Sequence, residues 1–375
     1  MKWILDSKYD DDIFNCDNYD DCPKEFEGEE TIDKNVFNLL FVGCWGVYCR
    51  DDIEEDGSEY RQKIVSIAMA DYSKKNQIDV VILAGDNVYQ SNDESKKSLP
   101  KELKVLKYDI DKQLDDGFLH CMSGVQTNRF LIGVGNHDLE LCSIIQKQIK
   151  YTENKWTLPA LSYRVLYKMN NFYINMIFID TNIYKKKWCR TDPTQKEPPL
   201  YPAKAKDEQA TWLKNQLQEG KTKNAWNIVI GHDPFHTRSH KNIDTLLLRK
   251  TPDEFLQLIK ENADSIHLYM CADEHNQQYV SDLIVTGRGI FYNDHRFSYC
   301  DGIKLPPQII AGSGGTNLDR IISDEKELVK ATQFYQAAFG FVSMAIEEHR
   351  ISFKFNGVSS PVTPAIDSDI FVIHK

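Results

Sequence analysis

The sequence predicts an α/β domain in which buried strands alternate with helices. The first observation is a series of short apolar runs that have the length of buried strands. These runs lie at residues 37–42, 80–84, 130–134, 172–179, 226–230, 266–270 and 308–311. The second observation is a set of stretches with apolar residues three or four positions apart, which is the period of an amphipathic helix. These stretches lie at residues 60–74, 207–218 and 252–262.

The composition is that of a globular protein with an acidic surface. The chain has 375 residues, of which 41% are hydrophobic, and this is enough to bury a large core. The net charge is −11 and the pI is near 5.4. Phosphate backbones are bound by clustered Lys and Arg, so we do not expect nucleic acid as a general partner.

The cysteines and the apolar runs bear on the cellular compartment. No window of eighteen apolar residues occurs, and no signal peptide is evident, so we expect no membrane partner and an intracellular, cytoplasmic location. The nine cysteines are odd in number, scattered and without a Cys-x-x-Cys pair. This pattern favours reduced thiols over a disulfide framework.

The domain organisation follows from a change in composition near residue 35. Residues 1–35 are acidic and polar without an apolar period, so we expect a poorly packed arm. Residues 36–375 are expected to form a single domain. Its tail contains two alternating stretches, 340–346 and 350–355, which predict a C-terminal β-hairpin.

Polar side chains follow five of the predicted strands, at the point where each strand ends. They lie in the segments 43–46 (GCWG), 85–89 (GDNVY), 135–138 (GNHD), 231–234 (GHDP) and 271–275 (CADEH). Ligands collect beyond the carboxyl ends of strands in open α/β sheets, and a glycine allows a sharp turn there. Carboxylate, phenolate and imidazole groups suit a pair of divalent or mixed-valence cations, and one carboxylate can bridge both. The sequence therefore predicts one pocket with two metal ions.

The ordered set of motifs resembles the signature of the calcineurin-like metallophosphoesterases. The GDNVY, GNHD and GH motifs and the terminal His275 follow one another in the order of that family. The tyrosine three residues after the aspartate is similar to the purple acid phosphatase branch. The segments 156–159, 178–182, 209–213 and 311–315 also look like parts of that branch. The resemblance extends over residues 37–357.

The resemblance implies a fold and a set of metal ligands. The implied fold is a four-layer α/β/β/α sandwich of two mixed sheets flanked by helices. Two metal ions are implied, of the kinds Fe, Zn or Mn. By the resemblance, Asp86 would bridge the two ions, Tyr89 and His275 would bind the first, and Asn136 and His232 would bind the second.

The resemblance also implies hydrolysis of phosphate esters. A metal-bound hydroxide would attack phosphorus, and His137 would face the substrate as a proton donor or phosphoryl ligand. The loop after His232 adds three candidates for substrate contact. His236 and His240 lie on this loop, and Arg238 offers a planar donor fork that fits phosphate oxygens.

Two positions depart from the family pattern. Cys44 stands where the family has an aspartate ligand of the first metal, and Asp273 stands where it has a histidine ligand of the second. A thiolate is softer than a carboxylate and shifts preference towards Zn or Fe(II). The two changes together preserve the formal ligand charge if Cys44 binds as a thiolate. They fit a rewired metal centre as well as a loss of function.

Three functions follow as alternatives. The first is a phosphatase that acts on a small phosphorylated substrate, as the surviving ligands and His137 indicate. The second is an impaired or inactive protein of the same fold that serves as a binding or scaffold module. The third is a phosphodiesterase that acts on nucleotides or nucleic acid. The sequence predicts no oligomeric state.

Overall fold

The computed structural model describes most of the chain. The described residues are 16–46, 60–89, 114, 118, 120–151, 155–185, 187–191, 198–240, 253–286, 289–292, 302–316, 318–319, 321–322, 326–359 and 365–375. The strands are β1 Glu25–Thr31, β2 Phe37–Val42, β3 Ile78–Ala84, β4 Thr127–Gly133, β5 Trp156–Thr157, β6 Ser162–Lys168, β7 Tyr173–Phe178, β8 Trp226–Ile230, β9 Ser239–His240, β10 Leu268–Cys271, β11 Gln277–Val280, β12 Leu283–Thr286, β13 Gly289–Tyr292, β14 Ile303–Lys304, β15 Gln308–Ala311, β16 Ile321–Ile322, β17 Thr332–Gln336, β18 Phe339–Ile346, β19 Arg350–Val358 and β20 Phe371–His374. The α-helices are α1 Tyr60–Lys75, α2 His120–Met122, α3 Cys142–Lys150, α4 Ala205–Thr222, α5 Asp253–Glu261 and α6 Lys326–Ala331.

Two large mixed sheets form the centre of the protein. The first has eight strands in the order β1-β6-β7-β8-β10-β15-β11-β17, and the second has seven in the order β20-β19-β18-β2-β3-β4-β5. Strands β7, β8, β10 and β15 run parallel in the first sheet, and β2, β3 and β4 run parallel in the second. Parallel strands are buried on both faces, which explains why their sequences are mostly apolar. Their carboxyl ends lie at one edge of each sheet.

The two sheets pack face to face, and helices cover their outer faces. The rings of Phe37 and Tyr167 lie 4.7 Å apart across the interface, and the Tyr163 hydroxyl donates to the Ile132 carbonyl over 3.0 Å. Helix α1 packs on β18 and β19, and α4 packs on β7 and β8. The predicted four-layer sandwich of two mixed sheets is therefore confirmed.

The N-terminal segment differs from the expected unpacked arm in its described part. Strand β1 pairs in parallel with β6 at the edge of the eight-stranded sheet. Tyr19 is buried and packs edge to face on Trp188 and Tyr201, with ring centroids 5.3 and 5.2 Å away. Strand β1 lies on an edge with alternating exposure, so its sequence lacks an apolar period. Residues 1–15 lie outside the described residues, and the boundary at residue 35 stays a prediction.

The expectation of reduced thiols is wrong for several cysteines. Disulfides join Cys16 to Cys22 and Cys142 to Cys189, and Cys121 is also disulfide-bonded. The partners in the second bond are 47 residues apart in sequence, so only the fold brings them together. In contrast, Cys44 and Cys271 are buried thiols. Among the described residues, we find no helix with the length and apolar character needed to cross a membrane.

His267 makes the stability of the fold sensitive to acid. Its Nδ1 accepts a hydrogen bond from the Asn227 backbone N–H at 2.9 Å, and its ring packs on Trp226. Burial, with a smaller contribution from Lys375, lowers the pKa of His267 to about 4. The unfolded chain, with an ordinary histidine pKa near 6.5, therefore binds more protons between pH 6.5 and 4, and stability falls as the pH falls through that window.

We expect His267→Gln to reduce this pH dependence. The slope of the unfolding free energy between pH 6 and 4.5 should become shallower by about 1 kcal/mol per pH unit. Denaturant titrations at several pH values measure the slope. His349→Gln is the control, since the His349 side chain is 83% exposed and should leave the slope unchanged.

Candidate metal centre

The ends of the parallel strands from both sheets meet in one place. The Gly43 N–H at the end of β2 donates to the Ala311 carbonyl of β15, and His232 after β8 contacts the Ala84 carbonyl of β3. Gly85 has a φ of +87°, and a Cβ there would lie 2.6 Å from the Gly135 nitrogen and from Nδ1 of His232. The loops can approach this closely only because position 85 has no side chain.

Three of the candidate ligands have an unusual backbone conformation. Cys44, Asp86 and Asp273 each have a φ of 53°, in the left-handed region that non-glycine residues rarely adopt. Each of the three is buried and follows the end of a strand. Strained backbone of this kind collects at functional sites, where the surrounding structure maintains it. These three side chains therefore lie just beyond the ends of their strands, where the ends of the strands from both sheets meet.

Asp86 belongs to two clusters of potential ligands. In the first cluster, one ligand atom each of Cys44, Asp86 and His275 lie within 4.8 Å of one another. In the second cluster, the same is true of Asp86, His232 and Asp273. One buried carboxylate is therefore common to two groups that could each hold an ion.

Tyr89 and Asn136 extend the two clusters. The Tyr89 hydroxyl donates to Oδ2 of Asp86 over 2.8 Å. In the amide orientation that satisfies its hydrogen bonds, Asn136 donates to Oδ1 of Asp273 over 3.2 Å. Burial and then the Asp86 charge raise the pKa of Tyr89 well above its usual range. The fold thus brings together all seven of the sequence-predicted metal ligands.

The environment of His232 fits a cation. Its Nδ1 lies 2.8 Å from the Ala84 carbonyl, which can only accept, so Nδ1 carries the proton. Its Nε2 is buried without a hydrogen-bond partner in the described structure, 3.3 Å from Oδ1 of Asp86 and 3.6 Å from Oδ1 of Asp273. A neutral imidazole would turn the Nε2 lone pair towards two carboxylate oxygens, so this position requires a positive charge, which either a proton on Nε2 or a bound cation supplies. Metal-bound histidines usually donate their other N–H to a carbonyl in this way.

Asp86 is held in its charged form. Burial disfavours the carboxylate, but His232 and His137 outweigh burial and hold the pKa of Asp86 well below its usual range. The His137 backbone N–H donates to Oδ1 of Asp86 over 3.0 Å. The shared residue of the two clusters is therefore an anion.

His137 lies beside the clusters with its ring fixed on two sides. Its Nδ1 is 2.7 Å from Oε1 of Glu140, and its ring centroid is 4.4 Å from that of Tyr89. Burial opposes protonation, but Glu140 and Asp86 raise the pKa of His137 above its usual value. The Glu140 contact engages Nδ1 and leaves Nε2 as the ring atom available for a substrate.

Asp138 joins the loops that carry Asp86 and His137. Its buried carboxylate accepts from the backbone N–H groups of Asn87, Val88 and Gly135 at 3.0, 3.2 and 2.7 Å. It also accepts from the side-chain amides of Asn87 at 3.1 Å and Gln148 at 2.9 Å. Burial and the Asp86 charge raise the pKa of Asp138 to about 6. Asp138 thus fixes the position of one loop relative to the other.

The backbone of His275 is clamped by Asp319. The His275 N–H donates to Oδ2 of Asp319 over 2.8 Å, and the Asp319 N–H donates to the His275 carbonyl over 3.0 Å. The Tyr335 hydroxyl donates to the Asp319 carbonyl over 3.1 Å. Asp319 therefore determines where His275 stands in the first cluster.

The three other predicted substrate contacts lie on the loop after His232. The backbone of His236 is bound by the side chain of Gln308, and burial lowers the pKa of His236 to about 4, so its ring is neutral at pH 7. The Arg238 guanidinium lies 5.9 Å from the centre of the Tyr335 ring. His240 pairs in β9 with β16, and its side chain lies outside the described residues. Their roles towards substrate stay predictions.

Sequence reasoning missed three residues that support the site. Glu140, Asp138 and Asp319 contact the candidate ligands or their loops. The position of Asp138 in the GNHD motif was a signal that could have found it, because a carboxylate next to a ligand often organises the loop. Glu140 and Asp319 carry no such signal, because their contacts depend on how the loops fold.

The fold and the two clusters define a metallophosphoesterase. A family model described as calcineurin-like phosphoesterase matches residues 37–277, more than half of the chain. The chain therefore belongs to the calcineurin-like phosphoesterases, a family that uses dinuclear metal centres. The resemblance to the purple acid phosphatase branch is also confirmed.

The relatives include plant phosphatases and a parasite protein. Purple acid phosphatase 17 of Arabidopsis thaliana is 23% identical over 261 residues, which is 65% of this chain and 64% of that relative. The solved structure of GAP50, the anchor in the inner membrane complex of Plasmodium, has a TM-score of 0.57 and 17% identity, and covers 91% of this chain and 89% of that one. Purple acid phosphatase PPD1 from yellow lupin has a TM-score of 0.55 and 14% identity, and covers 92% of this chain and 54% of that one. These two structural similarities describe the fold.

The Asp319 clamp leads to a prediction about metal affinity. Asp319→Ala removes one of the two hydrogen bonds that hold the His275 backbone, so we expect the first cluster to bind an ion about tenfold more weakly. Isothermal titration with Zn²⁺ measures this change. Asp367→Ala is a matched control. Asp367 also accepts a hydrogen bond from a backbone N–H, but its donor is Gly357 of β19, which belongs to neither ligand cluster. Equal affinity in the two variants would contradict the assignment.

Proposed function

We propose that this chain is a metal-dependent phosphoesterase that hydrolyses phosphate monoesters of small molecules. The proposed ligands are Cys44, Asp86, Tyr89, Asn136, His232, Asp273 and His275. The observation that carries the proposal is the position of Asp86 in two ligand clusters at once. The buried Nε2 of His232 beside two carboxylates is the second support.

The protein's own residues have separate roles in this reaction. Bound ions would supply an activated water and neutralise the charge on the phosphoryl oxygens. Asp86 would offer a ligand atom to each ion, since it belongs to both clusters. His137, oriented by Glu140 and Tyr89, donates a proton to the leaving oxygen or a hydrogen bond to the phosphoryl group. His236, Arg238 and His240 are proposed to line the entrance for the substrate.

The metals are proposed to be Fe, Zn or Mn, and the substrate a small phosphorylated molecule. The acidic balance of the chain disfavours nucleic acid. A phosphodiesterase that acts on nucleotides is the alternative within the same class, because both reactions use the same two-ion centre. The rates of hydrolysis of an aryl phosphate monoester and of the corresponding diester distinguish a phosphatase from a phosphodiesterase.

Hydrolysis of these two esters tests the proposal. Purified, folded protein is loaded with Zn²⁺, Mn²⁺, Fe²⁺ or Mg²⁺ and assayed from pH 4 to 9. We expect metal-dependent release of the aryl alcohol that is faster for the monoester. Faster turnover of the diester would indicate a phosphodiesterase instead of a phosphatase. No turnover with any ion in folded protein would overturn the proposed activity.

A non-catalytic anchor or scaffold is the second candidate. Two points favour it: Cys44 and Asp273 stand at ligand positions where the resemblance implies an aspartate and a histidine, and the fold of GAP50 is similar over 91% of this chain. This candidate requires at most one tightly bound ion and no turnover. Asp86→Asn would then leave the binding of a partner protein intact, whereas it should abolish hydrolysis in a phosphatase.

The disulfides favour an oxidising compartment over the cytoplasm. Such bonds persist in secreted proteins and in the endoplasmic reticulum, and are rare where thiols are kept reduced. Peptide mapping of unreduced protein from its native source should recover Cys16 linked to Cys22 and Cys142 linked to Cys189. Recovery of these cysteines as thiols would restore the cytoplasmic location.

A further inference from the structure

The two ligand clusters differ in the softness of their donor atoms. The first cluster contains the sulfur of Cys44 beside Asp86 and His275, whereas the second has only nitrogen and oxygen donors, from Asp86, His232 and Asp273. Thiolates prefer Zn²⁺ and other thiophilic ions, and carboxylates prefer harder ones. The two positions therefore present unequal environments to metal ions.

The Cys44 side chain is held at the centre by its backbone. The Cys44 N–H donates to the Gly85 carbonyl over 3.0 Å, and the Thr316 hydroxyl donates to the Cys44 carbonyl over 3.4 Å. The thiol lies 3.8 Å from Oδ2 of Asp86. A Cβ at Gly312 would come within 3.2 Å of the sulfur, so position 312 leaves space for the thiol. The sulfur is thus directed at the shared carboxylate.

Cys44 is a thiol in a protein whose other described cysteines mostly form disulfides. Cys16, Cys22, Cys121, Cys142 and Cys189 are all disulfide-bonded. Cys271, the other described thiol, lies in β10 with its sulfur 3.5 Å from the Ile309 carbonyl. Cys44 is thus a buried thiol beside a carboxylate and an imidazole, whereas five of the seven described cysteines are disulfide-bonded. Coordination of a metal ion would explain a thiol at this position.

We propose that Cys44 makes the first position a thiolate site selective for a thiophilic ion such as Zn²⁺, while the second position takes a harder ion such as Mn²⁺. This proposal rests on the proposed two-ion centre and adds that its two positions prefer different ions. Coordination replaces the proton of the thiol, which is released to the buffer. Asp273 contributes to this difference, because a carboxylate ligand makes the second position favour harder ions.

Cobalt and cadmium serve as spectroscopic probes of this site. A thiolate bound to Co²⁺ or Cd²⁺ gives a ligand-to-metal charge-transfer absorption that carboxylates and imidazoles do not give. Metal-free protein with intact disulfides is titrated with each ion, and bound ions are counted by native mass spectrometry. The variants are Cys44→Ser, Cys44→Asp and, as the matched control, Cys271→Ser. Circular dichroism reports whether each variant is folded.

We expect the charge-transfer band in the wild type and in Cys271→Ser, and its loss in both Cys44 variants. Cys44→Asp should still bind two ions but should lose the preference for Zn²⁺ over Mn²⁺ at the first position. Two variants keep the test decisive if serine at position 44 prevents folding, because aspartate can still act as a ligand.

Three results would overturn the proposal in distinguishable ways. Two bound ions without a band in the wild type would reject thiolate ligation but leave the two-ion centre intact. A band that survives in Cys44→Asp would assign the sulfur to another cysteine. No bound ion at all would reject the proposed function together with this inference.

Discussion

Asp86→Asn is expected to leave at most one bound ion per chain and to abolish measurable hydrolysis. The side chain belongs to both ligand clusters, so its neutralisation weakens two positions at once. An amide cannot bridge two cations as a carboxylate does, and His232 would face one anion fewer. The stabilisation that the ions provide is several kcal/mol, so the rate should fall by at least about 1,000-fold. Isothermal titration and initial rates measure the two losses.

A surface aspartate gives the matched control for this variant. Asp71→Asn makes the same chemical change at a position where the side chain is 57% exposed and pairs with Lys74. It should keep the ion stoichiometry and the rate of the wild type. Retention of two tightly bound ions by the Asp86 variant would contradict the assignment of Asp86 as the shared ligand.

Asp138→Ala is expected to cause the largest loss of stability. Removal of this carboxylate leaves the buried N–H groups of Asn87, Val88 and Gly135 without their acceptor. Each unsatisfied buried donor costs about 1–3 kcal/mol, so the free energy of unfolding should fall by roughly 4 kcal/mol. The shift of the midpoint of denaturant unfolding measures the loss.

Asp138→Asn separates the role of the acceptor oxygens from that of the side-chain volume. The amide keeps one acceptor oxygen of the same shape but places an NH₂ group opposite donors. We therefore expect an intermediate loss of stability. If alanine and asparagine variants were both as stable as the wild type, Asp138 would not hold the two loops together.

Much of the sandwich could be predicted because its central strands are buried on both faces. Phe37–Val42 and Trp226–Ile230 are apolar runs interrupted by a single asparagine each, and the structure has strands with those bounds. The candidate ligands follow such strands directly, so the end of each run also marked a ligand position. The parallel arrangement then determines that these positions meet.

The remaining features depend on contacts that the local sequence does not encode. Strand β1 has the sequence EFEGEET, with alternating exposure. Its hydrogen bonds to β6 and the contact of Gln216 with Glu27 at 2.7 Å hold it in place. The acidic sequence of the strand does not reveal these contacts, and it therefore suggested an unpacked arm. The bond between Cys142 and Cys189 and the Asp319 clamp likewise join residues that are distant in sequence. The left-handed backbone at Cys44 and Asp273 becomes visible only in the structure.

The number of metal ions per chain tests the two-ion centre most directly. Folded protein is loaded with Zn²⁺ and Mn²⁺ together, freed of excess ions, and analysed by inductively coupled plasma mass spectrometry. We expect two ions per chain in the wild type and in Asp71→Asn, and at most one in Asp86→Asn. A wild-type protein that retains one ion or none, while folded, would contradict a two-ion phosphoesterase and would favour a binding or scaffold module.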